Sequence, residues 1–339
     1  MSGRAKHRSE LTRRIAERLG RASSIAVSTH LGGDGDGWGS ACALAHHFGA
    51  VGIDVRLLAA SPMPERFRFL LPESSELWPP DRTGIEALET AEVQVVVDAS
   101  EPGRLGRFAN HFQPQRTIVI DHHAVATREI ESALSLIDPD AAATVEVLYE
   151  VLLETGTPVS PATARALYVG LVTDTGSFRY SNTSARAHRL AAALIEAGAD
   201  PGALYRPLFA NLTSAELVTL RAVIEGLERD PELGITWSSL GARLLREVGA
   251  LDEYEGIIDH LRSLSGTEVA ILFRELQAGL VKVSLRSTGD TNVAELARSF
   301  GGGGHERAAG ATVEGDLAEV RRRVLEAVRG LRGGRPGKT

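Results

Sequence analysis

The stretch TIVIDHH, Thr117 to His123, joins an apolar run to an acid and two imidazoles. Unbroken apolar character over Thr117 to Ile120 suits a strand buried on both faces, as in a parallel sheet covered by helices. Such sheets gather ligands beyond the carboxyl ends of their strands, which is where Asp121, His122 and His123 stand. An Asp-His-His triplet alone is a weak signal, so its meaning depends on the rest of the chain.

The strand pattern repeats on the N-terminal side. Ile25 to Ser28, Val55 to Ala59 and Val93 to Val97 read as further short buried strands, with helix-forming segments among the connections, Trp38 to Phe48 the clearest. This alternation predicts an α/β fold, a parallel sheet with helices on both faces. Leu11, Ile15 and Leu19 predict an amphipathic helix over Arg8 to Leu19. On the C-terminal side, Ala142 to Glu154, Ala162 to Leu171 and Ser184 to Ala197 predict helices, the last closed by Gly198. Asp200 and Pro201 discourage its continuation.

Beyond this point the pattern changes. Ser214 to Glu228 predicts a helix, Ile235 to Ser238 a strand, Val269 to Arg274 and Leu280 to Arg286 a strand pair turning at Gln277 to Gly279, and Asn292 to Phe300 a helix. These readings place a parallel-sheet domain at residues 1–197, a linker at 198–213, a smaller α+β domain at 214–332 and a frayed tail at 333–339. A length of 339 residues also favours more than one core.

A formal net charge of −7 opposes binding of a long polyanion over the whole surface, while a short anion held by metal ions stays compatible. The single cysteine, Cys42, excludes an internal disulfide framework and a multi-cysteine zinc site. No apolar stretch reaches the roughly 18 to 20 residues of a bilayer span, and Arg4, Lys6, Arg8, Arg13 and Arg14 precede no apolar signal core. A cytoplasmic protein without a membrane partner is expected.

Polar residues cluster where the strands end. STHLGGDGDGWGS, Ser28 to Ser40, carries His30, Asp34 and Asp36 among five glycines, whose positive backbone angles would let ligand-type side chains converge. Asp98 closes VVVDAS, and Asp174 lies in YVGLVTDTGSFRYS, Tyr168 to Ser181. With His122 they form an imidazole and carboxylate set without thiolate, suited to Mn²⁺ or another hard-to-borderline divalent ion. Carboxylates so gathered repel one another unless cations sit among them. A paired-metal phosphoesterase follows.

The order of these motifs resembles the DHH superfamily of phosphoesterases, and GGGGHERAAG, Gly301 to Gly310, resembles the signature of the DHH-associated domain. The likeness runs through nearly the whole chain, and the compact two-domain length is similar to the nanoRNase/pAp-phosphatase branch. The resemblance implies two Mn²⁺ ions, one held by His30, Asp34 and Asp98, the other by Asp36, Asp98, His122 and Asp174, with Asp98 bridging. It also implies catalytic roles for His123, facing the scissile phosphate, and for Asp121, orienting the histidine pair through hydrogen bonds. Gly33 stands where proline is common in the family, a departure that alters no ligand. In the second domain, Gly301, Gly302, Gly303 and Gly304 would bring backbone amides close to a phosphate, with His305 and Arg286 as further substrate-binding residues.

The expected activity is metal-assisted hydrolysis of very short oligoribonucleotides and 3′-phosphoadenosine 5′-phosphate (pAp) to nucleoside monophosphates. The alternatives within the superfamily are a cyclic or linear dinucleotide phosphodiesterase, a pyrophosphatase and, disfavoured by acidity, an exonuclease on long DNA. A non-catalytic nucleotide- or RNA-binding sensor is the alternative of another class. The expected partners are short RNA or a mononucleotide bisphosphate as substrate and no long nucleic acid, with a homodimer as a compatible assembly.

Overall fold

The computed structural model describes residues 3–73, 75–124, 128–210, 213–248, 256–288 and 291–333. The chain forms two compact units, Met1–Asn211 and Leu212–Thr339. In the first, strands β1 (Ser24–Ser28), β2 (Asp54–Leu58), β3 (Leu77–Trp78), β4 (Val93–Val97), β5 (Thr117–Asp121) and β6 (Leu134–Ile137) form a six-stranded sheet in the order β3-β2-β1-β4-β5-β6. Every pairing in it is parallel. Strands β4 and β5 are buried along their whole length, as β-branched runs are when helices cover both faces.

The helices of this unit are α1 (Gly3–Arg21), α2 (Gly35–Gly49), α3 (Arg82–Thr90), α4 (Thr144–Glu154), α5 (Pro161–Asp174), α6 (Ala185–Glu196) and α7 (Pro201–Phe209). Strand periodicity divides the core between the two sheet faces. Ile25, Val27, Val95 and Ile120 pack with Leu44 and Leu148, whereas Ala26 packs with Leu88 and Phe108, and Val96 with Leu105. The strand order reverses between β1 and β4, the position at which open parallel sheets bind ligands.

Asp200 and Pro201 begin a helix in addition to discouraging the previous one. The Asp200 carboxylate accepts from the amides of Gly202 and Ala203 at 2.9 and 3.2 Å, and Pro201 occupies a first-turn position where its missing N–H costs nothing. Leu204 and Leu208 of α7 join the first core, so the segment expected as a linker, 198–213, carries a helix packed on the first unit. Residues 211, 212 and, in the expected tail, 334–339 lie outside the described residues.

The second unit contains α8 (Ser214–Glu225), β7 (Glu228–Asp230), β8 (Ile235–Leu240), α9 (Ala242–Val248), α10 (Ile257–Arg262), β9 (Val269–Gln277), β10 (Leu280–Ser287), α11 (Val293–Ser299), β11 (Gly303–His305), β12 (Ala308–Glu314) and α12 (Leu317–Gly333). Its six-stranded sheet runs β11-β12-β10-β9-β8-β7, antiparallel except between β8 and β9. The hairpin from β9 to β10 turns through Gly279 at φ 80°, a left-handed value that glycine adopts without strain. Helix α8 stops before Glu228, which starts β7 instead.

Candidate active site

The ends of β1, β4 and β5 converge with the N-termini of α2 and α4 and the C-terminus of α5. Helix α2 begins at Gly35, earlier than the expected Trp38, because the Asp34 carboxylate caps it and accepts from the amides of Asp36 and Gly37 at 3.0 and 3.1 Å. Asp36 therefore sits in the first helical turn. Asp174 is the last residue of α5, three residues beyond the expected end.

The glycines of the first motif serve close packing more than turning. From Gly32 to Gly39 only Gly32 has a positive φ, 67°. A Cβ at Gly35 would lie 2.3 Å from Thr173 Oγ1, one at Gly39 2.6 Å from the Ala166 carbonyl, and one at Gly170 3.0 Å from Asp36 Oδ1. Helices α2 and α5 thus approach through backbone, which carries Asp36 and Asp174 to one place. Each helical glycine costs about 1 kcal/mol relative to alanine, a cost this contact offsets. At Gly33 a Cβ would come within 2.8 Å of the buried Trp38 Nε1 and 2.9 Å of Thr29 Cγ2, so the indole explains why no side chain stands there.

Asp98 is almost fully buried and has φ 60°, a left-handed backbone unusual outside glycine though less so for aspartate. Its amide donates to the Ile120 carbonyl at 3.0 Å, and Thr144 Oγ1 donates to its Oδ1 at 3.0 Å. His30 Nδ1 donates to the Leu31 carbonyl at 2.8 Å, which presents Nε2 to Asp98 Oδ2 at 3.3 Å and Asp34 Oδ1 at 3.8 Å. His122 is oriented in the same manner, Nδ1 to the Ala141 carbonyl at 3.3 Å. Its Nε2 lies 3.5 Å from Asp174, 3.8 Å from Asp98 and 3.9 Å from Asp36.

These atoms form groupings with metal-ligand spacing: His30, Asp34 and Asp98; Asp36, His122 and Asp174; and Asp98, His122 and His123. In the third, His123 Nδ1 is engaged by Asp121 Oδ1 at 2.8 Å, which places Nε2 on the opposite side of the ring. The same Asp121 oxygen accepts from the amides of His122 and His123 at 2.7 and 3.1 Å. One fully buried carboxylate thereby fixes the backbone and one ring of the histidine pair.

The electrostatics fit a cation. Burial and then the charges of Asp98 and Asp174 push the Asp36 carboxyl well above its ordinary value; burial and then Asp34 and Asp98 do the same to Asp174. Burial opposes a charge on His30, yet the Asp34 and Asp98 carboxylates that face its Nε2 outweigh it and raise the imidazole to about 10. Among the described residues, the buried His30 Nε2 makes no well-formed hydrogen bond. Asp36, Asp174 and His30 thus hold protons more tightly than usual, and a divalent ion would compete with those protons. Asp121 goes the other way, held below the ordinary range because its bonds to His123 outweigh its burial.

Residue type gave no hint of Thr144, whose hydroxyl bonds Asp98 and whose amide donates to Asp36 Oδ2 at 2.6 Å, with the Val145 amide on Oδ1 at 3.0 Å. It lies in the small apolar run AAATV. Only the position of that run at a helix N-terminus, where amides lack intrahelical partners, could have signalled it.

In the second unit the signature glycines build a strand pair. Gly303–His305 pairs with Ala308–Gly310; a Cβ at Gly302 would lie 2.1 Å from the Gly310 carbonyl, and one at Gly304, φ 136°, 2.5 Å from the Ala308 carbonyl. Gly301 and Gly303 have open space. Arg286 stands on β10 opposite Ala308 of β12, half-buried, with Nη1 on the Leu285 carbonyl at 3.1 Å. The side chain of His305 is outside the described residues.

A parallel sheet that collects imidazoles and carboxylates beyond its switch point, with charge that calls for a cation, defines a divalent-metal site on an open α/β sheet. Residues 24–171 match the DHH family, N-terminal domain, and residues 248–331 the DHHA1 domain. The bifunctional oligoribonuclease and PAP phosphatase NrnA of Thermus thermophilus is 32% identical over 94% of this chain and 94% of its own. The cyclic-di-AMP phosphodiesterase GdpP of Geobacillus thermodenitrificans is 28% identical over 74% of this chain and 38% of its own. In fold, an exopolyphosphatase-related protein from Bacteroides fragilis superposes with TM-score 0.87 at 22% identity, covering 96% of this chain and 98% of the other. The chain belongs to the DHH family of phosphoesterases.

Proposed function

We propose that the chain hydrolyses short oligoribonucleotides and pAp to nucleoside monophosphates, with catalysis in a DHH domain at residues 1–197 and substrate binding in a DHH-associated domain at 214–332. The observation that carries the reading is the pair of ligand groupings beside Asp98, His30 with Asp34 and Asp36 with His122 and Asp174. The Thermus relative, named for both activities and alike end to end, supports the substrate class.

In this proposal His30, Asp34 and Asp98 hold one Mn²⁺, and Asp36, Asp98, His122 and Asp174 another. Bound divalent ions would supply Lewis-acid activation of water and neutralise charge on the phosphate. His123 meets a phosphate oxygen through Nε2 and provides or holds a proton there. Asp121 fixes that ring by its bond to Nδ1. Arg286, Gly301 to Gly304 and His305 bind the substrate, Arg286 with the planar donor pair that suits a phosphate. A cytoplasmic location completes the proposal.

The deciding assay offers the Mn²⁺-loaded protein a labelled dinucleotide, pAp, a long single strand and a cyclic dinucleotide. Turnover of the first two, with little of the third, is expected. Bound metal without hydrolysis of any of them would leave a sensor, not an enzyme. The Geobacillus relative favours a second reading, and preferential cleavage of the cyclic dinucleotide would establish it.

A further inference from the structure

We propose that Arg186 is a positioning residue that fixes the metal-binding groups by clamping both ends of the segment Asp138–Glu146. This inference rests on reading Asp36, Asp98 and His122 as ligands.

Arg186 lies in the first turn of α6 and meets carboxylates from separate elements. Its Nη1 donates to Asp138 Oδ2 and its Nη2 to Glu150 Oε1, both at 2.9 Å, while Nε lies 2.9 Å from Glu146 Oε1 as an ion pair. Asp138 follows β6, and Glu146 is in the first turn of α4. Glu146 is 2% exposed and uses its other oxygen to accept from the Ala142 amide at 2.6 Å. The guanidinium therefore spans the segment that supplies the Ala141 carbonyl to His122, the Thr144 hydroxyl to Asp98 and the Thr144 and Val145 amides to Asp36. A rigid, planar, multi-donor head suits this role, and an ammonium cannot reproduce it. On the other side, Asn182 Nδ2 donates to both the Ala142 and Asp174 carbonyls, at 2.9 and 3.1 Å, tying the same segment to the end of α5.

Arg8 provides the internal comparison. It also pairs with Asp138 and Glu150, but Glu146 is contacted by Arg186 and not by Arg8. A role in general stability would make the two arginines alike; a positioning role separates them.

The experiment measures Mn²⁺ affinity of the metal-free protein by titration calorimetry, its thermal midpoint, and kcat and KM for pAp, in Arg186→Gln, Arg186→Lys and Arg8→Gln. Loss of partners that orient metal ligands typically weakens metal affinity or activity by about 10–100-fold. Arg186→Gln should show a loss in that range in affinity and kcat with KM nearly unchanged. Arg186→Lys should fall between it and the parent, and carries the test should the glutamine variant not fold. Arg8→Gln should lower the thermal midpoint while leaving affinity and kcat within threefold. Folded Arg186 variants with parental Mn²⁺ affinity would overturn the inference, as would Arg8→Gln losing affinity in proportion to stability. The calorimetric readout holds whichever phosphate ester the protein cleaves.

Discussion

The segments Gly32 to Gly39 in the first unit and Gly301 to Gly304 in the second are alike in composition and differ in use. In both, several glycines stand where a Cβ would strike backbone or a packed side chain. In the first, that close approach joins two helices whose ends carry Asp36 and Asp174, and the ligand groupings among the described residues all lie there. In the second, it joins β11 to β12 and leaves Gly301 and Gly303 beside open space. A glycine-rich signature thus marks close backbone contact; chemistry depends on which side chains that contact carries.

The largest effect that would break this contrast is at Asp98. Asp98→Ala should lower turnover on the order of 10³-fold or more and reduce bound metal, because both proposed ion sites draw on it. Near-normal turnover would remove the shared centre from the first unit. His123→Gln should slow turnover by about 10²-fold while metal content stays close to parental, as measured by elemental analysis. Loss of metal in that variant would move His123 into the ligand set.

Two alanine substitutions sharpen the second half of the contrast. Gly302→Ala should destabilise the protein by about 1–3 kcal/mol in denaturant melts, through overpacking against β12, with Mn²⁺ affinity unchanged. Gly303→Ala should change stability by less than about 0.5 kcal/mol. If the Gly303 backbone nevertheless approaches a phosphate, KM should rise without a stability change; an unchanged KM would leave the hairpin a purely structural element.

The smallest effect is the response of the metal-free protein to pH. Asp36 and Asp174 bind protons more tightly folded than unfolded, and so does His30, raised from 6.5 to about 10. Their stabilising contributions are complete below the unfolded values and are lost as pH rises through the folded ones. Asp34 and Asp121 act oppositely, but their window lies in acid, below the ordinary carboxylate value. His46 and His47, lowered by burial, also act oppositely, but only below the ordinary histidine value. Above about pH 7 the thermal midpoint without metal should therefore fall with rising pH, and saturating Mn²⁺ should flatten the fall. A midpoint that rises over that range would contradict the cluster's charge balance.

Much of this arrangement was readable from residue order. Val93 to Val97 and Thr117 to Ile120 could not be exposed, and burial on both faces makes a parallel sheet; the acids and imidazoles following them then fall at its carboxyl edge. Weaker signals were lost where context decided the outcome. Leu134 to Ile137, interrupted by Ser135 and alternately half-buried, lacks the unbroken apolar run that announced Thr117 to Ile120, and Asp200-Pro201 reads equally as the stop of one helix or the start of another. Thr144 and Arg186 carry no type-based mark, since threonines and arginines are common on helices.

The sequence by itself determined the buried strands, the identity of the ligand-type side chains and the family, because these follow from local hydrophobic pattern and motif order. Tertiary structure alone decided that Asp36 meets Asp174, that Asp98 bonds Thr144, and that the first-motif glycines pack helices instead of bending a loop. Those outcomes depend on close approach between segments far apart in the chain, where one methyl group more or less decides whether the backbones can meet.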